Sequence, residues 1–90
     1  MPPTLDIIVV NWNAGAQLAS CVASIAAARS DRLSLERVVV VDNASRDLSL
    51  SGLNDPPLPV TILRNPVNIG FAAACNRGAE GSRAEYLLFL

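Results

Sequence analysis

The chain has 90 residues, of which 51% are hydrophobic, and a formal net charge of -1 at pH 7. This apolar content suits one small buried core and is too high for a disordered chain. A charge so near zero provides no field that would draw the chain onto nucleic acid or an anionic membrane. The sequence has no histidine and no lysine, which excludes a histidine-based acid–base or metal site and a lysine-dependent P-loop.

Four short apolar runs predict β strands, at residues 7–10, 38–41, 60–63 and 86–90. They are too short for helices, and the first two are unbroken β-branched stretches. Such runs are typical of parallel strands that are covered on both faces.

Two segments between these runs have helical periodicity, with apolar residues at i, i+3, i+4, i+7 and i+8. The stripes are Leu18, Cys21, Val22, Ile25 and Ala26, then Phe71, Ala74, Cys75, Gly78 and Ala79. We predict that Asn68 caps the second helix, that Gly81 ends it, and that Ser45 caps a short helix in the loop after the second strand.

The resulting order, βαβ(α)βαβ, predicts an α/β fold: a mostly parallel sheet with helices on both faces. We further expect the strand order 3-2-1-4. We interpret residues 1–90 as part of a single domain. Because Leu90 falls inside an apolar strand, we expect that domain to continue past it. We interpret Cys21 and Cys75 as reduced thiols of the core.

Polar residues follow the first three strands directly, in the segments 11–13, 42–43 and 64–65, with Asn68 close behind. Since ligands of open parallel sheets bind beyond the carboxyl ends of the strands, we expect these side chains to meet in one crevice. Amides, a carboxylate and an indole suit a nucleobase and a ribose. Each segment alone is ordinary turn chemistry, and only their co-location favours a site.

Three blocks of the chain resemble glycosyltransferase family 2, whose nucleotide-binding domain has the GT-A fold. They are DIIVVNWN at 6–13, VVVVDNASRD at 38–47 and NPVNIGFAAACNRG at 65–78, the last followed by EYLLFL at 85–90. The resemblance covers essentially the whole chain. The DNAS and NxGFA variants are similar to a branch that includes bacterial rhamnosyltransferases, and related galactofuranosyl- and other hexosyltransferases look alike here.

The resemblance implies six residues that bind the donor nucleotide: Val10, Trp12, Asp42, Asn43, Asn68 and Gly70. Trp12 would cover the base, and Asp42 and Asn43 would hydrogen-bond the base and ribose. The family often has a second aspartate at the position of Asn43, and an amide can donate as well as accept.

Four further polar residues have mainly structural interpretations. We expect Asp47 to cap or brace the Asp42 loop and Asn76 to bond a nearby loop carbonyl. Arg64 and Arg77 are either solvated or steer a diphosphate.

The resemblance also implies an activity: inverting transfer of a sugar from a nucleoside-diphosphate donor, of dTDP-rhamnose or UDP-hexose type, to a cell-surface glycan or a lipid-linked acceptor. It implies a cytoplasmic protein, with a peripheral position at the inner face of the membrane left open. The metal-binding motif, for Mg²⁺ or Mn²⁺, and the catalytic carboxylate are expected after Leu90. This segment would then hold no catalytic or metal-binding residue and supply donor binding only.

Two other function classes fit the predicted element order. A non-catalytic Rossmann-like nucleotide-binding module is the main alternative, although a dinucleotide site is disfavoured because no Gly-x-Gly-x-x-Gly follows the first strand. A phospho-receiver domain needs an acidic pair after the first strand and a late lysine, and the sequence has neither.

Overall fold

A computed structural model describes residues 2–90; Met1, the first residue of the predicted domain, lies outside the described residues. The elements are β1 (Thr4–Asn11), α1 (Ala16–Ala27), β2 (Ser34–Asn43), a 3₁₀ helix (Ser49–Leu53), β3 (Thr61–Asn65), α2 (Phe71–Ala79) and β4 (Tyr86–Phe89). The predicted order of strands and helices is confirmed.

The four strands form one sheet in the order β3-β2-β1-β4, and every neighbouring pair is parallel. This confirms the predicted α/β fold and strand order. The central pair, β1 and β2, is longer than the apolar runs that predicted it. Its ladder extends into polar residues at both ends, from Thr4 beside Ser34 to Asn11 beside Asp42.

Each face of the sheet packs against one helix, because successive strand residues point to opposite faces. The face covered by α1 contains nine buried apolar residues: Ile7, Val9, Leu18, Val22, Ile25, Val38, Val40, Leu53 and Leu58. The face covered by α2 contains Ile8, Val39, Val41 and Ala74. The unbroken valine and isoleucine runs are therefore buried from both sides, as their composition predicts.

The two cysteines are free thiols that differ in burial. Cys75 is buried on α2, where desolvation raises the pKa of its thiol. Cys21 is half-buried on α1 and packs at the border of the core. The core interpretation is right for Cys75 and only partly right for Cys21.

Gly81, with a φ of 73°, follows the end of α2 as predicted, but the two predicted N-terminal caps are wrong. The residue before α2 is Gly70, with a φ of 85°, and no side chain caps that helix. Asn68 instead accepts a hydrogen bond from the Gly70 amide at 2.9 Å, in an Asx turn that precedes the helix. The short helix begins at Ser49 after Leu48, so Ser45 caps nothing there. Both residues bond within loops, because short polar side chains compete for nearby backbone amides.

A buried carboxylate joins the amino-terminal side of the sheet to the segment after α2. Asp6, which is 2% exposed, accepts hydrogen bonds from Ser82 Oγ at 2.6 Å and from Arg37 Nε at 3.1 Å. Arg37 also donates to the Gly78 carbonyl. These contacts fix the connection from α2 to β4 on the side of the sheet away from the carboxyl ends of the strands.

Neither helix of residues 2–90 has the length and apolar character needed to cross a bilayer; the longer one, α1, has 12 residues.

Replacement of Gly78 by alanine should destabilise the fold. A Cβ at Gly78 would lie 2.5 Å from Ile8 Cγ2 and 2.9 Å from Val41 Cγ2, both in the packed interior. Overpacking costs about 1–3 kcal/mol, whereas alanine gains only ~1 kcal/mol over glycine in a helix. Urea unfolding should therefore show a net loss of stability.

The matched control is Asn76→Ala, on the exposed side of the same helix. It should change stability by no more than about 0.5 kcal/mol. Wild-type stability of the Gly78→Ala variant would show that α2 does not approach the sheet this closely.

Candidate functional site

The carboxyl ends of β1, β2 and β3 lie along one edge of the sheet, and a cleft of about 740 Å³ opens there. Three loops contribute to it: the loop after β1, the loop after β2 and the loop between β3 and α2. The lining residues are Trp12, Asn13, Asp42, Ala44, Ser45, Arg46, Arg64, Asn65, Pro66, Val67 and Asn68. The strand register explains the convergence, since it aligns Asn11 with Asp42 and Asp42 with Arg64.

The side-chain amide of Asn11 supports the floor of this cleft. Asn11 is 1% exposed, and its Nδ2 donates to Asp42 Oδ1 and to Ser49 Oγ, each at 2.8 Å, and to Ser45 Oγ at 3.2 Å. The two hydrogens of this nitrogen serve the two shorter contacts first, and they join the end of β1 to the end of β2 and to the segment after it. Its Oδ1 is buried without a hydrogen-bond partner among the described residues.

The loops after β1 and β2 are also bonded to each other outside the strands. The backbone N–H of Asn13 donates to Ser45 Oγ at 2.9 Å, and the side-chain Oδ1 of Asn13 accepts from the backbone N–H of Arg46 at 2.8 Å. Asp47 accepts from the Gly15 amide at 2.9 Å and from the Ser49 hydroxyl at 2.5 Å. The expectation that Asp47 braces the Asp42 loop is confirmed.

Two of these loop residues have backbone angles that place the polar groups. Asn13 has a φ of 50° and Ala44 a φ of 60°, both in the left-handed region that non-glycine residues rarely adopt. Ala44 sits between the end of β2 and Ser45, so the chain turns sharply there. The Ser45 amide then bonds back to Asp42 Oδ2 at 3.1 Å.

A second amide network fixes the loop between β3 and α2. Asn43 is 2% exposed; its Nδ2 donates to the Gly70 carbonyl at 3.1 Å, and its Oδ1 accepts from Asn65 Nδ2 at 2.9 Å and from the Ile69 amide at 3.3 Å. Arg77, on α2, donates from Nη1 to Asn65 Oδ1 and to the Arg64 carbonyl. The cleft wall formed by residues 66–68 is therefore held from beneath.

The structure brings three of the six predicted nucleotide-binding residues to the cleft. Trp12, Asp42 and Asn68 all line it, and the indole of Trp12 is 59% exposed, with its ring available to a ligand. The expected convergence of these three is confirmed as geometry. Their contact with a nucleotide stays a prediction.

The other three predicted residues lie outside the lining of the cleft. Val10 is half-buried and packs against the core on the α2 face. Asn43 and Gly70 are bonded to each other in the network beneath the loop that precedes α2. A nucleotide contact for these three residues likewise stays a prediction. The observed hydrogen bond between Asn43 and Gly70 stabilises the loop that precedes α2.

Two polar residues of the lining, Ser45 and Arg46, were not assigned to the site from sequence. Asn13 and Asn65 line the cleft and Asn11 supports it from below, in segments that the sequence places at the crevice. The available signal was the density of Asn, Ser and Asp in the two blocks after β1 and β2, residue types that bond across loops. Asn76, expected to bond a loop carbonyl, is exposed and makes no side-chain hydrogen bond within the described chain.

The charged groups of the cleft are one carboxylate and two guanidinium groups. Asp42 lies at the base, 4% exposed, and Arg46 and Arg64 are exposed on the lining. Within residues 2–90 the one salt bridge is Arg37 with Asp6, so neither cleft arginine has an ionic partner there. The rim of the cleft is therefore suited to an anion, while the floor carries the hydrogen-bond acceptor Asp42.

A larger groove, of about 920 Å³, lies between α1 and β4. Its lining is mostly apolar, including Leu5, Cys21, Leu35, Leu88 and Leu90. It lacks the amides and carboxylate that meet at the carboxyl ends of the strands. Size alone does not make it the better candidate, because a site needs polar groups that converge on the ligand.

Replacement of Asn11 by alanine should loosen both loops. It leaves Asp42 Oδ1 and two serine hydroxyls without the buried donor they share, a loss of about 1–3 kcal/mol. We expect a lower melting temperature and faster hydrogen exchange at residues 12–15 and 44–49, measured by mass spectrometry. Unchanged exchange in both segments would contradict the proposed support, and Asn76→Ala provides the control.

Acidification should weaken the hydrogen bonds that the Asp47 carboxylate accepts from Gly15 and Ser49. The hydrogen bond from the Ser49 hydroxyl is the largest cause that lowers the pKa of Asp47 below its ordinary value of 3.8. A carboxylate with a depressed folded-state pKa contributes stability above its unfolded pKa and loses it as the pH falls through the folded value. The melting-temperature difference between wild type and Asp47→Asn should therefore shrink below about pH 4. A difference that stays constant from pH 7 to pH 3 would contradict this assignment.

Comparison with known proteins agrees with this architecture. Residues 6–90 match the family model described as glycosyl transferase family 2. A Haemophilus influenzae protein described as an uncharacterized glycosyltransferase is 33% identical over 86 residues, which cover 96% of this chain and 28% of that relative. With a family match over nearly its whole length and the parallel sheet that the family implies, the chain belongs to glycosyl transferase family 2.

Proposed function

We propose that this chain provides the donor-nucleotide site of an inverting glycosyltransferase. The observation that carries the proposal is the convergence of Trp12, Asp42 and Asn68 on one cleft at the carboxyl ends of the strands. Membership of glycosyl transferase family 2 supports transfer of a sugar in general terms. The chain spans 28% of the length of the relative it matches, so the activity of a whole protein is part of the proposal.

The chemistry of the cleft suits the nucleoside half of such a donor. The exposed ring of Trp12 offers a flat apolar face, on which any nucleobase can stack. Asp42 accepts one bond at each carboxylate oxygen, from Asn11 and from the Ser45 amide. Each oxygen retains a further acceptor position, so Asp42 remains able to receive an N–H or O–H from the base or ribose.

The rim of the cleft suits the diphosphate half. Arg46 lies in the loop after β2 and Arg64 near the end of β3, and neither guanidinium group has an ionic partner within residues 2–90. Arginine presents several donors in a planar fork that matches phosphate oxygens. We propose that these two residues steer the diphosphate, whereas Arg77 is used within the protein, bonded to Asn65 and to the Arg64 carbonyl.

The residues present do not by themselves form a site for Mg²⁺ or Mn²⁺. Mg²⁺ takes six oxygen ligands in octahedral geometry, usually several waters with one or two carboxylates and substrate phosphates. Within the described chain no three acidic or thiol side chains are grouped to hold a metal, and Asp42 is the one carboxylate of the cleft lining. We propose that a metal, if the intact enzyme uses one, is held by residues outside this segment.

The transfer step follows from the inverting chemistry of the proposal. A carboxylate outside this segment would deprotonate the acceptor hydroxyl, which then attacks the anomeric carbon as the nucleoside diphosphate departs. The cleft residues hold and orient the departing nucleotide, which raises the chance of a productive approach. The finer identity we propose is a dTDP-rhamnose or UDP-hexose donor, a cell-surface glycan or lipid-linked acceptor, and a cytoplasmic site of action.

Replacement of Trp12 by alanine should weaken binding of UDP or dTDP by the intact protein. Loss of a stacking ring costs about 1–3 kcal/mol per base. Calorimetric titration would measure this loss, with Trp12→Phe as the matched control that retains an aromatic face. The phenylalanine variant should bind more tightly than the alanine variant.

Two outcomes would overturn the proposal. Equal affinity of a folded Trp12→Ala variant would remove the tryptophan from the site. Tight nucleotide binding by the intact protein without sugar transfer to any glycan or lipid-linked acceptor would favour a binding module over a transferase.

A further inference from the structure

The hydroxyl group of Ser45 has an unusual set of partners for a side chain at a cleft. Its Oγ accepts a hydrogen bond from the Asn13 amide at 2.9 Å and a second one from Asn11 Nδ2 at 3.2 Å. A serine hydroxyl has two acceptor lone pairs and one proton to donate. The Asn11 amide has two hydrogens for three acceptors, and its contacts to Asp42 and Ser49 are shorter. The bond from the Asn13 backbone N–H is therefore the one that holds the Ser45 oxygen.

The Ser45 proton has no acceptor within residues 2–90, where the oxygen appears only as an acceptor. The residue is half-buried and lines the cleft together with Asp42. A hydroxyl that lines a cleft and has no protein acceptor for its proton can donate that proton to a ligand. The bond accepted from the Asn13 backbone N–H also restrains the oxygen, so little entropy is lost when the proton is donated.

We propose that Ser45 donates a hydrogen bond to the nucleoside part of the bound nucleotide sugar. The acceptor would be a carbonyl oxygen of the base or a hydroxyl oxygen of the ribose. Asp42, three residues earlier, presents acceptor positions in the same cleft, and its Oδ2 is bonded to the Ser45 amide. Ser45 thus offers a hydrogen-bond donor beside the acceptor oxygens of Asp42. This inference rests on the proposed function, because it assigns a further binding residue to that site.

Ser49 provides a matched internal comparison. It also accepts from Asn11 Nδ2, at 2.8 Å, but its own proton is donated to Asp47 Oδ1. Ser49 is buried, 2% exposed, and lies outside the lining of the cleft. The two serines share one buried donor, and only Ser45 has a proton left for a ligand.

The test compares Ser45→Ala, Ser45→Thr and Ser49→Ala in the intact protein. Titration with UDP and dTDP gives the affinity, and thermal melting without ligand gives the stability. We expect Ser45→Ala to bind the preferred nucleotide about 3- to 10-fold more weakly, as for a lost neutral hydrogen bond. Ser45→Thr retains the hydroxyl and should recover most of the affinity. Ser49→Ala should lower the melting temperature and leave affinity within about twofold.

Inorganic pyrophosphate serves as the second probe, because it lacks the nucleoside. Its binding should be the same in wild type and Ser45→Ala. An equal loss for pyrophosphate and UDP would place the contact at the phosphates and overturn the assignment. An equal loss in Ser49→Ala and Ser45→Ala would show that Ser45 acts only through the network around Asn11.

The test distinguishes failure of this inference from failure of the proposed function. Wild-type protein that binds neither UDP nor dTDP defeats both. Wild-type protein that binds one of them, with an unchanged Ser45→Ala variant, defeats the role of Ser45 alone. If Ser45→Ala does not fold, Ser45→Cys, with a weaker donor of similar shape, is measured instead and should also bind more weakly.

Discussion

The buried amide nitrogen of Asn11 is the contact on which the rest of the site depends. It joins the ends of the two central strands to Ser45 and Ser49 in the segment after β2, at distances of 2.8 to 3.2 Å. An unpaired buried polar group costs about 1–3 kcal/mol, so the carboxylate and hydroxyls gathered here need this donor. The central strands place it there, because their register aligns Asn11 with Asp42.

Two hydrogen-bond networks, each centred on an asparagine side chain, stabilise the loops that form the cleft. The one around Asn11 holds the loops after β1 and β2, and the one around Asn43 holds the loop that precedes α2. Asn43 donates to a carbonyl of that loop, a bond that an aspartate at the same position would not make. The amide therefore ties the end of β2 to the loop that carries Asn68.

Much of the fold follows from the sequence because its strongest patterns act over short distances. The four short apolar runs and the two helical stripes identified every strand and both helices, and the helical connections indicated a parallel sheet. The two N-terminal helix caps were wrong for a physical reason. Asn68 and Ser45 have residue types that cap helices, but they bond to loop groups brought near by tertiary structure.

The site was less predictable than the fold. Turn residues at strand ends indicated where Trp12, Asp42 and Asn68 would meet, since parallel strands end at one edge. Whether an amide faces the cleft or its own protein depends on contacts between residues 22 to 38 positions apart, as for Asn43 with Asn65 and Asn11 with Ser49. No local pattern encodes those contacts, so Asn43 and Ser45 could not be sorted by residue type.

A crystal structure of the intact protein with UDP or dTDP would test the central claim most directly. The account predicts the base against the face of Trp12 and the nucleoside within hydrogen-bonding distance of Asp42, with the diphosphate towards Arg46 and Arg64. A nucleotide bound in the apolar groove between α1 and β4, or one that leaves Trp12 and Asp42 without contact, would contradict it.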